Sequence, residues 1–238
     1  MRHRCFRIVL VTIAFLVLFF ASLETSAQEV TLTSKLSPIY LGQQGGVFYD
    51  GPVQQTDVYL EWGNGVFVDV WTSTGFNTRK DFDKELDFLV GYAKTVGRTS
   101  YSTDFQYYVV QGGDVVNWNG EVDFQFLFVR LEVYAPSKRD GPHKGLIPSA
   151  GIRLLQKPLF EKIERIKLDI EQLAKHDTGC FGFDAAWLYQ GNIGVSLAIT
   201  SRTSVNGGFR WSIPLNLPAD GRKGEAVWKF GFSRSFGN

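Results

Sequence analysis

Ionisable residues divide the chain into two halves of opposite sign. Asp57, Glu61, Asp69, Asp87 and Asp104 fall on alternate positions of extended segments that carry no base on the same face. Further on come Arg130, Arg153, Arg165, Lys167, Arg210 and Lys229, mixed with Glu132, Asp169, Glu171 and Asp184. Facing each other across a narrow polar passage, such walls would orient and select small hydrophilic solutes. The competing outcome is that the charges pair across the space and plug it, because partly buried ions need partners.

Other chemistry is thinly represented. Serine hydrolysis needs a histidine base held by a third group, and only His143 and His176 lie beyond the first few residues. Both are expected in turns on the periplasmic side, so an outer-membrane hydrolase is the least favoured class. His176, Asp177 and Cys180 cluster as metal ligands do, but no fourth ligand is evident, and neither a metal nor a cofactor is expected. Trp62, Trp71, Tyr92, Trp187, Tyr189, Trp211 and Trp228 read as interfacial girdles, amphipathic rings at strand ends, except that parity aims Trp71 inward with Asp69.

These residues must be positioned by strands. From Gly224 to Phe236, Trp228, Phe230, Phe232 and Phe236 alternate with Lys229, Gly231, Ser233 and Ser235. Successive side chains of an extended strand point to opposite faces. The spacing predicts twelve strands, near 29–40, 53–63, 65–75, 85–96, 99–110, 120–136, 145–156, 162–173, 180–190, 193–201, 204–215 and 224–236. Within 120–136 the apolar face changes parity at Phe128 and Val129, which predicts a one-residue bulge. A hairpin there is disfavoured because turn residues are missing. The segment 159–174 alternates like a strand yet also fits one helical face, and the strand reading gives an even total. Connections expected on one side are long, those on the other tight, with the sixth and ninth breaking the trend.

Residues 1–27 read as a cleavable export signal: Arg2, Arg4 and Arg7 precede an apolar run from Ile8 to Ala21, with small residues up to Ala27. Fourteen residues at ~1.5 Å rise make about 21 Å of helix, short of the ~30 Å hydrocarbon core. Removing residues 1–27 takes away three Arg and Glu24, leaving 22 basic and 23 acidic residues. That balance offers no electrostatic case for nucleic acid. Cys180 is then the single cysteine, so no internal disulfide can form. Order must come from backbone pairing or a large core.

The stretch from Val30 to Val110 resembles the TorF family of outer-membrane porins. The similarity lies in Gly65 to Ser73 (GVFVDVWTS), in Glu85 to Tyr92 (ELDFLVGY) and in the tyrosine-rich Tyr101 to Tyr108. The ending Ser233 to Phe236 is similar too. The chain departs from the family's pattern at Tyr40 to Gln44, and again where Arg234 interrupts the aromatic face and Gly237 and Asn238 follow Phe236. The resemblance implies a class of protein and no particular solute.

The expectation is therefore an all-β chain: a transmembrane antiparallel β-barrel of about twelve strands spanning 28–238, exported to the outer membrane of a Gram-negative cell. Its expected partners are outer-membrane lipid, the barrel assembly machinery and small hydrophilic solutes. Asp57, Glu61, Asp69, Asp87 and Asp104 would form an acidic wall, with Arg130, Arg153, Arg165, Lys167 and Arg210 as the basic wall. The alternative is a non-conducting structural or adhesion barrel acting through its loops, chiefly 41–52 and 76–84.

Overall fold

The computed structural model describes residues 29–76, 84–110, 113–136, 144–160 and 163–236. The export signal expected at 1–27, with His143 and most of the connection at 76–84, lies outside the described residues. The first ring strands are β1 (Glu29–Ser37), β4 (Val53–Glu61), β5 (Val66–Gly75), β6 (Lys84–Val96) and β7 (Thr99–Val110). They continue with β8 (Val115–Phe124), β9 (Leu127–Pro136), β10 (Gly145–Phe160) and β11 (Ile163–Asp177). The last are β12 (Ala186–Ala198), β13 (Thr203–Pro214) and β14 (Glu225–Phe236). Each pairs antiparallel with its neighbours, and β1 pairs with both β4 and β14, so twelve strands form a closed barrel. The remaining two, β2 (Tyr40–Leu41) and β3 (Val47–Tyr49), make a small hairpin inside the first connection.

Alternation decides which face each residue takes. On β14, Trp228, Phe230, Phe232 and Phe236 are 70%, 62%, 47% and 44% exposed, while Val227 on the opposite face is 1% exposed. Leu127, Val129 and Leu131 on β9 and Ile193, Val195 and Leu197 on β12 continue the outward apolar face. An apolar belt this continuous is incompatible with water and suits acyl chains. Closure leaves no sheet edge within it.

Two elements differ from expectation while the total stays at twelve. The segment 120–136 is not one bulged strand but two, β8 and β9, joined by Gln125 and Phe126. Gln125 takes a left-handed conformation (φ 59°) normally left to glycine or asparagine, so the turn carries no sequence signal. The parity change at Phe128 is the return strand beginning, and Phe128 is turned inward and buried. Conversely, 180–190 and 193–201 are not two strands. Cys180–Gly182 is a 3-10 turn, and β12 runs unbroken through Gly191 and Asn192. Residues 163–177 are strand, which removes the helical alternative for that segment.

With these changes the connections alternate in length except for the fifth. Those after even-numbered ring positions are two to four residues long and the fifth is also four, whereas the first, third, seventh, ninth and eleventh run from eight to fifteen. His176 closes β11 at the long-connection end, opposite to its expected side, with its ring 4.7 Å from that of Trp187. Trp62 departs from the girdle pattern: it is buried in the turn at 62–65, whereas Trp187 and Trp228 are exposed. The register does shift twice in β10 against β11, and at the first shift Gln156 (φ 52°) donates its backbone N–H to Asp169 Oδ1 at 2.6 Å.

Candidate functional site

The inward face of the barrel is polar, and the first connection folds back into it. Leu41 and Tyr49 are each 1% exposed. Gly45 (φ 76°) makes the turn, at a place where any Cβ would strike Ser212 Oγ. The turn's carbonyls are held by the far wall: Gln190 Nε2 donates to Gln43 O at 2.8 Å, and Arg210 reaches Leu41 O and Gly42 O at 3.4 Å each. The Gln43 amide, oriented to donate, lies 3.1 Å from Glu132 Oε2. Aromatic rings complete the seat. Phe48 sits 5.6 Å from Phe181 and 5.7 Å from Phe183, and Tyr40 sits 5.8 Å from Trp71. Phe181 and Phe183, within the segment expected as a strand at 180–190, instead pack against this hairpin.

Arg222 ties three long connections together. Nearly fully buried, it donates to Asp177 Oδ2 at 2.8 Å and to Gln44 O at 2.7 Å, pairs with Asp220 at 2.8 Å and reaches Asp184 O. Its guanidinium lies 4.8 Å above the Phe183 ring. Asp177 also accepts the N–H groups of Gly179 and Cys180, at 3.0 and 2.8 Å. The metal reading of this stretch fails on geometry, because His176 and Asp177 leave the strand on opposite faces. Burial, then the neighbouring Asp177, pushes the Cys180 thiol well above its usual range, as befits an inert side chain. Among the described residues, no group of three His, Cys, Asp or Glu could hold a metal ion.

Two adjoining cavities remain in the lumen, of about 520 and 290 Å³. Thr33, Lys35, Gln43, Arg210 and Lys229 line both. The smaller contains the acidic cluster: Asp57, Asp69 and Asp87, joined by Glu85, beside Tyr40, Trp71 and Tyr108. Asp57 lies against Asp69, and Glu85 against Asp87. The other two residues expected in the acidic wall lie apart. Asp104 accepts from Gln106 at 2.6 Å and Asn119 at 3.0 Å, and Glu61 accepts from Tyr59 near the short-connection end.

The larger cavity takes Arg130, Lys175, Arg210 and Lys229 on its basic side, with Asp169 and Glu171. The residues expected in the basic wall behave unequally. Arg153 is locked to Glu121 (2.5 Å), Asp123 (3.1 Å) and Glu171 (2.7 Å), and it lies 4.2 Å from the Phe128 ring. Arg130 pairs with Glu121 at 2.5 Å. Arg165 is exposed and Lys167 half-buried toward the short-connection end, and neither lines a cavity. Among the described residues Lys35, Lys175, Arg210 and Lys229 form no ion pair.

Sequence reasoning missed Glu85, Lys35, Lys175 and Arg222. The first three have the right parity and could have been found by continuing the alternation to the strand ends. Arg222 carries no signal, because it acts from a loop.

The overall shape can be compared with known structures. The KdgM porin superimposes with a TM-score of 0.55 at 11% identity, over 87% of this chain and 99% of that one. The NanC porin gives 0.56 at 8% identity, over 87% and 98%. The fold is that of an outer-membrane porin. At such identities the likeness concerns the porin barrel alone. KdgM porin has also been solved in complex with disordered oligogalacturonate, at a TM-score of 0.55 and 10% identity to this chain. No family model matches the chain, and neither does any curated protein.

Proposed function

We propose that the chain is an outer-membrane pore for the passive diffusion of small hydrophilic solutes, with the hairpin at 40–49 as its constriction. The observation that carries this reading is a lumen holding two adjoining polar cavities on whose walls Asp57, Asp69, Asp87, Lys35, Lys175, Arg210 and Lys229 form no ion pair among the described residues. A barrel built only as a scaffold would neutralise such groups, since isolated buried charge is costly. Asp57, Asp69 and Asp87 with Glu85 supply the acidic side of the path. Arg210, Lys175, Lys35 and Lys229 supply the basic side, and Asp104, Glu61, Arg130, Arg153, Arg165 and Lys167 shape its remaining field.

The TorF resemblance supports the same class, as do the export signal and the outward apolar belt. Outer-membrane lipid and the barrel assembly machinery are the partners that this class requires, and no catalytic step is needed. The second reading, a non-conducting barrel, draws on the hairpin seated in the mouth. Single-channel recording of the refolded mature chain in planar bilayers separates the two. Discrete conductance steps are expected, and a silent bilayer with correctly folded protein overturns the pore reading.

A further inference from the structure

We infer that the smaller cavity is a binding site for a small zwitterion, a molecule with an ammonium and a carboxylate on one short, partly apolar body. The inference rests on the pore reading and names the class of solute that this lumen selects. At about 290 Å³ the cavity is at the small end of sites for organic molecules. Four carboxyl groups line it, those of Asp57, Asp69, Glu85 and Asp87, and so do three cations, Lys35, Arg210 and Lys229.

None of the four carboxyls pairs with any of the three cations within 4.0 Å, although the backbone sets them side by side. Thr33 stands opposite Asp57, and Lys35 stands opposite Gln55 on one side and Gly231 on the other. Lys229 spends a hydrogen bond on neutral Gln55 at 3.2 Å. Elsewhere in this lumen opposite charges within reach do pair, as Arg130 and Arg153 do with Glu121. A cavity needing no charged guest would have collapsed the same way.

A second observation points to the cationic half of the guest. Asp87 is 6% exposed, and its Oδ1 has no hydrogen-bond partner. The Oδ1 atoms of Asp57 and Asp69 are likewise unpartnered. Two carboxylates in contact repel unless a proton or a cation lies between them. An ammonium has three donors for these oxygens, and the aromatic residues Tyr40 and Trp71 line the same cavity. Lys35, Arg210 and Lys229 are left to receive a carboxylate.

The test is isothermal titration of the refolded chain in detergent with three probes of one carbon skeleton: L-leucine, isoamylamine and isocaproate. Leucine is expected to bind at least roughly tenfold more tightly than either singly charged probe, as one added charge-assisted contact implies. Asp87→Asn and Lys229→Met should each remove that advantage. Equal binding of isoamylamine overturns the proposal in favour of a plain cation site. Equal binding of isocaproate overturns it in favour of an anion site, and no binding of any probe overturns it outright. The comparison of probes on the unaltered chain stands even if a variant fails to fold. Liposome swelling in glycerol separates the two levels. Swelling without leucine binding leaves the pore and sinks the zwitterion site, whereas leucine binding without swelling does the reverse.

Discussion

The carboxyl cluster and Arg222 make different demands on the chain. Exchanging Asp57, Asp69 and Asp87 for Asn removes fixed negative charge from the smaller cavity while nearly preserving its volume. Ion selectivity should therefore move toward anions, read as a shift of reversal potential under a salt gradient across a planar bilayer. An unmoved potential would remove these residues from the path. Arg222 is a structural matter. Replacing it with Ala leaves Oδ2 of the fully buried Asp177 without its cation and releases Gln44 O and Asp184 O. Breaking a buried pair from one side costs about 3 kcal/mol or more. Arg222→Ala should lower the denaturation midpoint accordingly and make open-channel current noisier as the hairpin loses its tether.

At the scale of elements, the hairpin at 40–49 is the natural target. Replacing it with a short Gly-Ser linker widens the lumen without touching a ring strand, so conductance should rise severalfold. Unchanged conductance would place the constriction elsewhere. The turn at Gln125 gives a second expectation. A left-handed residue with a side chain costs roughly 1–2 kcal/mol, of which glycine's extra chain entropy returns a part. Gln125→Gly should thus stabilise the barrel by about 1 kcal/mol in urea-induced unfolding from lipid vesicles. This turn also marks where the sequence stops being legible. Strands such as β4 to β7 and β14 could be read from period-two patterning alone, because lipid on one side and water on the other impose it. The β8–β9 turn and the unbroken run of β12 through Gly191 could not, since one lacks turn residues and the other contains them. The two misreadings cancel in the strand count. The lumen residues were legible by parity, but their company was not: the pairing of Arg153 with Glu121 and the seating of the hairpin depend on curvature and on a loop.

For the molecule as a whole, the outward belt carries the membrane claim. Phe230 sits on it, and an Arg there meets acyl chains at a cost of roughly 2–4 kcal/mol near the midplane. Phe230→Arg should reduce the folded fraction recovered in lipid vesicles, seen as loss of the heat-modifiable gel shift, whereas Ser233→Arg on the inner face should not. The seam has a different reach. Thr31 and Ser235 bond each other from 204 positions apart, so the amino-terminal strand cannot find its mate until nearly all the chain has been made. Until then the polypeptide is a ribbon with two raw flanks, each able to recruit a stranger. A product clipped ahead of Glu225 stays in that state permanently, with β1 and β13 each left a bare margin. Closure therefore depends on Glu225–Phe236, the strand that joins β13 to β1.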